Sequence, residues 1–296
     1  MFNHEAFLGE AIRSVLDQTL EDLELVILDD GSTDASGRIA DEFARQDPRI
    51  VVMHRPNAGV RAARNAIVTA ARGAWMTWLD SDDVWFKDAL RRYADYINAH
   101  PDVQFLYGYR HKLSGDRRID QARPEFQDRP TGAAELFGRM YLSHLCVCYR
   151  RELFLKVGGY DPQTLNADDY DVYLRMSLHC RFEPINAATG LRRRHPGCMS
   201  VVTGRSRMFE AEVLRRFIEQ RGGDKFVSPD LVRRRLSRLY YSAAKEYMKR
   251  RHYRRALETL VRGSRYGGSG KSAVVGLLSR LLRPLDRPDP HPLPRL

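Results

Sequence analysis

Two acidic clusters in this sequence have the composition and spacing to do chemistry. Asp80-Ser81-Asp82-Asp83 places carboxylates two apart on a turn, where they can converge on one hard cation that takes oxygen ligands. A divalent ion held there would neutralise a diphosphate and stabilise it as a leaving group. The same residue types also suit a turn and a helix cap. In Asp29-Asp30-Gly31-Ser32-Thr33-Asp34, an acid at a strand end can accept hydrogen bonds from a ribose or a base, while glycine permits a tight turn. A turn followed by a helix N-cap is the other reading. The sequence has no phosphate-binding glycine loop of the dinucleotide or P-loop type. Cys146-x-Cys148, with Cys180 and Cys198 far away, lacks zinc-site spacing and reads as buried small apolar residues.

These clusters must be positioned by regular elements. Leu23–Leu28 and Trp75–Leu79 read as short buried strands running into the two acidic clusters, with a further strand at Ile50–Met53. Apolar spacing predicts helices over Ala6–Leu16, Ser36–Gln46, Val60–Ala71 and Asp88–Ala99. Val103–Tyr109 and Cys146–Tyr149 read as strands, Ala133–Leu142 and Arg151–Val157 as helices, and 114–130 as an irregular loop. Asp168–Leu178 reads as an amphipathic helix that opens on acids, as its dipole favours. Alternating strands and helices imply an α/β fold with a mostly parallel sheet flanked by helices, in which ligands bind beyond the carboxyl ends of the strands. Met208–Glu219, Asp230–Arg250 and Tyr253–Ser264 read as a helical extension. Its last two helices resemble a single tetratricopeptide-like pair, a weak signal in one copy.

With 296 residues, 43% hydrophobic and 29% charged, the chain can bury a sizeable core, and its composition excludes a wholly disordered polymer. Four cysteines exclude a disulfide scaffold. No apolar stretch approaches a membrane span, and the N-terminus lacks a signal-peptide pattern. These features lead to an expected cytoplasmic location. The net charge of +11 is unevenly spread: residues 205–296 hold 23 basic and 9 acidic residues, leaving −3 for residues 1–204. That asymmetry argues against a nucleic-acid binder as a whole and points to an appended element that meets an anionic surface. Three segments are expected: a globular domain over 1–204, a helical basic extension over 205–266, and a linker, short amphipathic helix and Pro-rich tail over 267–296.

Read together, the motifs form a series. It runs Phe2-Asn3, Asp29-Asp30-Gly31-Ser32-Thr33-Asp34, Asn57-x-Gly59, Ala63-Arg64-Asn65 and Leu79-Asp80-Ser81-Asp82-Asp83-x-Trp85. Gly158-Gly159-Tyr160-Asp161 and Ala167-Asp168-Asp169-Tyr170-Asp171-x-x-x-Arg175 follow. The series resembles the family 2 inverting glycosyltransferases, of GT-A nucleotide-sugar fold, over roughly residues 2–200. The resemblance implies that Asp30 contacts the nucleobase, that Phe2 stands where a Tyr usually stacks on the base, and that Arg64 belongs to the nucleotide site. It further implies that Asp80 and Asp82 serve the ribose-diphosphate and the metal (Mn²⁺ or Mg²⁺), with Asp82 the direct ligand. Asp169 matches the catalytic base, Asp168 stands on the acceptor side in place of a usual Glu, and His195 resembles a late His that approaches the metal or diphosphate. An inverting transfer needs one base to deprotonate the acceptor hydroxyl and a cation to hold the departing diphosphate. The family's first apolar strand is missing before Phe2-Asn3, and a true start upstream of Met1 is the reading this favours.

The function implied is a metal-dependent inverting hexosyltransferase. It moves a sugar from a nucleoside-diphosphate donor, uridine-based on family grounds, to a glycan or lipid-linked acceptor in bacterial-type cell-surface polysaccharide synthesis. Residues 274–285 combine leucines with Lys and Arg neighbours, which suits peripheral contact with an anionic membrane on its inner face. The alternative is a catalytically inactive nucleotide-sugar-binding or partner-binding homologue. A nucleic-acid module resting on the tail is a third reading, and a glycoside hydrolase would not need a diphosphate-binding metal site.

Overall fold

A computed structural model describes residues 1–114, 117–119, 124–164, 166–195 and 204–267. In chain order the elements are α1 (Glu5–Leu16), β1 (Leu25–Asp29), α2 (Ser36–Gln46), β2 (Ile50–His54), α3 (Val60–Ala70), β3 (Trp75–Thr77), β4 (Val84–Trp85), α4 (Ala89–Ala99), β5 (Phe105–Ser114), β6 (Arg117–Ile119), α5 (Ala133–Gly138), β7 (Val147–Arg150), α6 (Arg151–Lys156), α7 (Asp168–Met176), β8 (Glu183–Arg194), α8 (Gly204–Gln220), α9 (Pro229–Lys249) and α10 (Tyr253–Ser264). They form two compact units, Met1–Gln163 with Val172–Cys198, and Thr164–Asp171 with Met199–Leu296. The expected tail helix and Pro-rich stretch lie outside the described residues.

In the first unit, β1 and β2 pair in parallel from Leu25 opposite Ile50 to Asp29 opposite His54. A second, six-stranded sheet has the order β3-β7-β5-β8-β4, with β6 on β5. The α/β architecture expected from the sequence is present, with a mixed sheet in place of a mostly parallel one. Among the described residues only β1–β2 and β5–β8 are parallel pairs, and β3–β7, β5–β7, β4–β8 and β5–β6 run antiparallel. Periodicity reports which face of a strand is buried and carries no information on strand direction. The Met1 ammonium donates to the Leu28 carbonyl at 2.7 Å, and the Asp30 N–H donates to the Met1 carbonyl at 3.0 Å. Met1 thus makes one rung in the parallel sense beside β1.

Two of the apolar clusters among the described residues join the elements of this unit. Leu8 and Ile12 of α1 pack with Ile27, Ala40 and Ile50, joining α1, α2 and the β1–β2 ladder. Val15, Trp85, Leu90, Tyr93, Leu106 and Leu145 form the second, with Cys146 and Cys148 among them. Burial drives the Cys146 thiol up to about 12, so both sulfurs behave as small apolar groups. Each fully buried aliphatic side chain contributes about 1.5–3 kcal/mol.

The strand β8 was not legible in the sequence. Its Glu183–Arg194 segment contains Pro184, a left-handed Asn186 (φ 52) and Gly190, and register shifts interrupt its pairing with β5. Those irregularities erase the period-2 pattern that marks a strand. Gly190 is required because a Cβ there would meet the Val84 carbonyl at 2.8 Å. Part of the expected 114–130 loop is also strand, since β6 pairs with the end of β5.

The second unit is helical. The Ser228 hydroxyl caps α9 by accepting from the Leu231 N–H at 3.3 Å, and Pro229 occupies the first turn. Among the described residues, no helix is long and apolar enough to cross a membrane.

Candidate active site

The antiparallel pairing of β4 with β8 sets Val84 opposite Leu191 and Trp85 opposite Gly190. The end of β8 therefore lies against the Asp80–Asp83 turn. The Arg193 N–H donates to Asp83 Oδ1 at 2.9 Å, and its guanidinium Nε donates to the Asp82 carbonyl at 3.1 Å. Arg193 also pairs with Glu10 of α1 and lies over the Phe7 ring at 5.3 Å. With the strand end fixed in this way, His195 Nε2 sits 3.0 Å from Asp82 Oδ2, although 113 residues separate them. The His195 ring is backed by Phe7 at 4.6 Å between centroids. His4 reaches the same turn, its Nδ1 lying 2.6 Å from the Ser81 hydroxyl.

Asp82 and His195 together offer two donor atoms of kinds that ligate divalent ions. A carboxylate oxygen and an imidazole nitrogen converge, and both side chains are largely shielded, 18% and 15% exposed. Among the described residues, no group of three or more His, Cys, Asp or Glu is arranged to hold a metal. An ion here would complete its shell with diphosphate oxygens and water, a common arrangement for Mg²⁺. Asp80 is engaged elsewhere: Arg64 Nη2 donates to its Oδ1 at 3.3 Å. Desolvation by its neighbours opposes the charged form of Asp80, but Arg64 together with other nearby positive charge outweighs it and holds the carboxyl below the ordinary range.

Arg64 projects from α3 over the rings of Trp78, at 6.0 Å, and Tyr160, at 5.6 Å. Trp78 also stacks on His144 at 5.2 Å, and its Nε1–H donates to the Tyr149 hydroxyl at 2.5 Å. Burial, with the charge of Arg64, lowers His144 to about 3, so its ring is neutral at physiological pH. Sequence reasoning missed His144, because a lone histidine between Ser143 and Leu145 carries no motif. Tyr160 is held by Asn65, which donates to its carbonyl and accepts from its N–H, both at 2.9 Å. Gly159 beside it has φ 67, and a Cβ would meet Asn65 Oδ1 at 2.8 Å. Arg175 of α7 closes the same loop from behind by donating to the Val157 and Gly159 carbonyls at 2.5 and 2.6 Å. Asn65→Ala is expected to destabilise the protein by about 2–4 kcal/mol, since two buried backbone groups lose their partner. Urea denaturation checks this, and a loss below about 0.5 kcal/mol would show that water replaces the amide.

The Asp29–Asp34 cluster organises the chain around it. Asp30 Oδ1 accepts from Arg55 Nε at 2.7 Å and the Ala58 N–H at 3.1 Å, and Oδ2 accepts from the Gly59 N–H at 2.9 Å. Burial acts against its charge, and these hydrogen bonds overcome it and hold the carboxyl below the ordinary range. Asp30 thus ties β1 to the β2–α3 loop, and a nucleobase would share an acceptor already in use. Arg55, its partner, carried no motif in the sequence. Asp34 caps two helices at once, accepting from Glu5 N–H at 3.0 Å and Ser36 N–H at 2.9 Å. Asn3 accepts from the Thr33 N–H at 2.8 Å, which seats Phe2-Asn3 on this loop. The Phe2 ring itself is 45% exposed.

Asp83, the last acid of its cluster, is buried. Burial and the neighbouring Asp80 and Asp82 charges raise it to about 7. Its folded value exceeds the ordinary carboxylate value, so its contribution to stability is full below about pH 4 and is lost as pH rises through 7. Asp83→Asn keeps an acceptor for Arg193 without the charge. In EDTA its stability relative to the native chain should rise between pH 4 and 7 by on the order of 3–4 kcal/mol, then level off. A difference in urea midpoints that stays flat over that range would refute the assignment.

Asp168 and Asp169 begin α7 in the second unit, away from a conventional cap. The preceding Asn166 and Ala167 are both left-handed, with φ 47 and 82, and the Asp171 N–H donates to the Ala167 carbonyl at 3.1 Å. A left-handed Ala costs about 1–2 kcal/mol, and this strain turns the chain directly into the acidic pair. Asp168 and Asp171 are buried, while Asp169 is half-buried, its Oδ1 accepting from the Tyr170 N–H at 2.8 Å.

Strand ends that carry acids above an α/β sheet define a class, and solved structures identify it. TarS residues 1–349 of S. aureus in complex with UDP-GlcNAc superposes with a TM-score of 0.70 at 16% identity, over 93% of this chain and 81% of that one. A mannosyltransferase of Pyrobaculum calidifontis in complex with GDP-Man and Mn²⁺ superposes with a TM-score of 0.60 at 16% identity, over 95% and 78%. The fold is that of the GT-A glycosyltransferases. Residues 1–158 match the family described as glycosyl transferase family 2, and the chain belongs to that family. Among curated relatives, the uncharacterized glycosyltransferase EpsJ of Bacillus subtilis is 46% identical over 164 residues, which cover 52% of this chain and 47% of EpsJ. The chain spans less than half the length of the curated relatives it matches first.

Proposed function

We propose that this glycosyltransferase moves a hexose, with inversion and with a divalent cation, from a nucleoside-diphosphate sugar to a glycan or lipid-linked acceptor during surface polysaccharide synthesis. The observation that carries the reading is the convergence of His195 on Asp82 at 3.0 Å, in a chain of this family, beside an Asp80 paired to Arg64. In this reading Asp82 and His195 hold Mn²⁺ or Mg²⁺, and the ion offsets the charge of the departing diphosphate. Arg64, held against Trp78 and Tyr160, orients Asp80 toward the ribose and phosphates. Asp30 fixes the loop that receives the base, with the Phe2 ring available to stack on it. Asp169 takes the proton from the acceptor hydroxyl, and Asp168 orients that acceptor. Residues 1–204 form the catalytic domain, with 205–266 as its basic extension.

Complexes of the fold neighbours with UDP-GlcNAc and with GDP-Man and Mn²⁺ support a nucleotide-sugar donor and leave uridine as the first choice to test. The experiment is a screen of donor hydrolysis across UDP-, GDP- and dTDP-sugars with Mn²⁺, Mg²⁺ or EDTA. Turnover of one donor that EDTA abolishes supports the reading. Binding without turnover of any donor would favour a catalytically inactive homologue. The protein works at the inner membrane face in this proposal, through the leucine- and arginine-bearing residues 274–285. Deleting 267–296 is expected to shift most of the protein from the membrane to the soluble fraction on cell fractionation, and unchanged partition would refute that role.

A further inference from the structure

Helix α9 carries two faces. Leu236, Leu239, Tyr240, Ala243, Ala244 and Tyr247 are buried on one. On the opposite face, Arg234, Arg238, Tyr241, Lys245 and Lys249 follow one another in steps of four, three, four and four residues, which stacks them in a single line. All five are exposed, with Tyr241 47% exposed near the middle. At 1.5 Å per residue the line is about 22 Å long.

The charges around this line are paired, as is Lys249 at its end, whereas the three cations Arg234, Arg238 and Lys245 along the rest of it are not. Arg233 pairs with Asp230, Arg235 with Glu210, and Lys249 with Glu246. Arg234, Arg238 and Lys245 have no side-chain partner among the described residues. Arg234 and Arg238 stand four apart, where like charges repel, so helix stability does not explain the pattern. The small Ser237 and Ser242 border the line and leave it open.

The geometry points to this line on α9 as a docking strip for an anionic, carboxylate-bearing glycan chain. A row one side chain wide matches a linear polymer. Guanidinium forks take carboxylates in a bidentate manner, and an exposed tyrosine ring offers an apolar face to a sugar ring. A membrane fits less well, because the apolar face of α9 is buried within its own unit and none remains to enter a bilayer. That the bound chain is the acceptor rests on the transfer reading above, whereas the binding itself does not.

The test uses the full chain and its Arg234→Gln/Arg238→Gln/Lys245→Gln variant. Binding of fluorescent oligogalacturonate is followed by anisotropy against salt, beside neutral dextran and vesicles of phosphatidylcholine with one-third phosphatidylglycerol. The native chain should bind oligogalacturonate and not dextran, with affinity that falls steeply as salt rises. The triple variant should bind at least 10-fold more weakly with a flatter salt dependence, and Tyr241→Ala about 3-fold more weakly with the slope unchanged. Nucleotide-sugar hydrolysis by the triple variant should be unchanged. Equal affinity of the triple variant, binding to the anionic vesicles alone, or binding to neither probe would overturn the strip. If the native chain binds the polymer but hydrolyses no nucleotide sugar, the transfer reading fails and the strip stands.

Discussion

Asp82→Ala is expected to lower metal-dependent transfer by about 10³-fold or more and to abolish the response to added Mn²⁺ or Mg²⁺. Asp82 and His195 face each other at 3.0 Å with little solvent between them. Removing the carboxylate takes away the oxygen donor that faces His195 at this turn. The fold should survive, because Arg193 grips the Asp82 carbonyl and the Asp83 side chain, and neither is lost. His195→Ala removes the imidazole donor and should cost less, about 10- to 100-fold, with a rise in the metal concentration needed for half-maximal rate. The measurement is initial rate against metal concentration for the three proteins. Full activity of Asp82→Ala at ordinary metal concentrations would sink the metal assignment.

Asp169→Asn should lower transfer by about 10²–10⁴-fold while nucleotide-sugar affinity stays within about twofold. Asparagine keeps the size of the side chain and an oxygen for the Tyr170 N–H, so the start of α7 is preserved. It cannot take a proton. Calorimetric binding of the nucleotide with and without the substitution separates the two effects. Loss of binding in parallel with loss of rate would make Asp169 a structural residue. Retention of more than about a tenth of the rate would remove it as the general base. Asp168→Asn should act mainly on acceptor KM, since Asp168 is proposed on the acceptor side.

Local chemistry marks much of this protein in the sequence itself. The helix over Ser36–Gln46 and the one over Tyr253–Ser264 match their elements residue for residue, because apolar spacing at 3.6 residues is a property of the segment itself. The acidic clusters were visible for a similar reason: strands that end in Asp-rich turns carry their signal in consecutive residues. Asp34 shows the limit of that signal. It stands in the same run as Asp30, yet it caps α1 and α2.

Other features depended on residues far apart in the chain. The sequence could not show that β8 is a strand, since its bulges and Pro184 hide the alternation, nor that it runs antiparallel to β4. That pairing alone brings His195 to Asp82. Arg55 on Asp30 and His144 under Trp78 are likewise products of the sheet. Residue order determined the family, the helices and the acids, because those are written in neighbouring side chains. Only the tertiary structure decided which acid meets which base, because a contact across 113 residues is set by strand order and register, and no short window of sequence contains either.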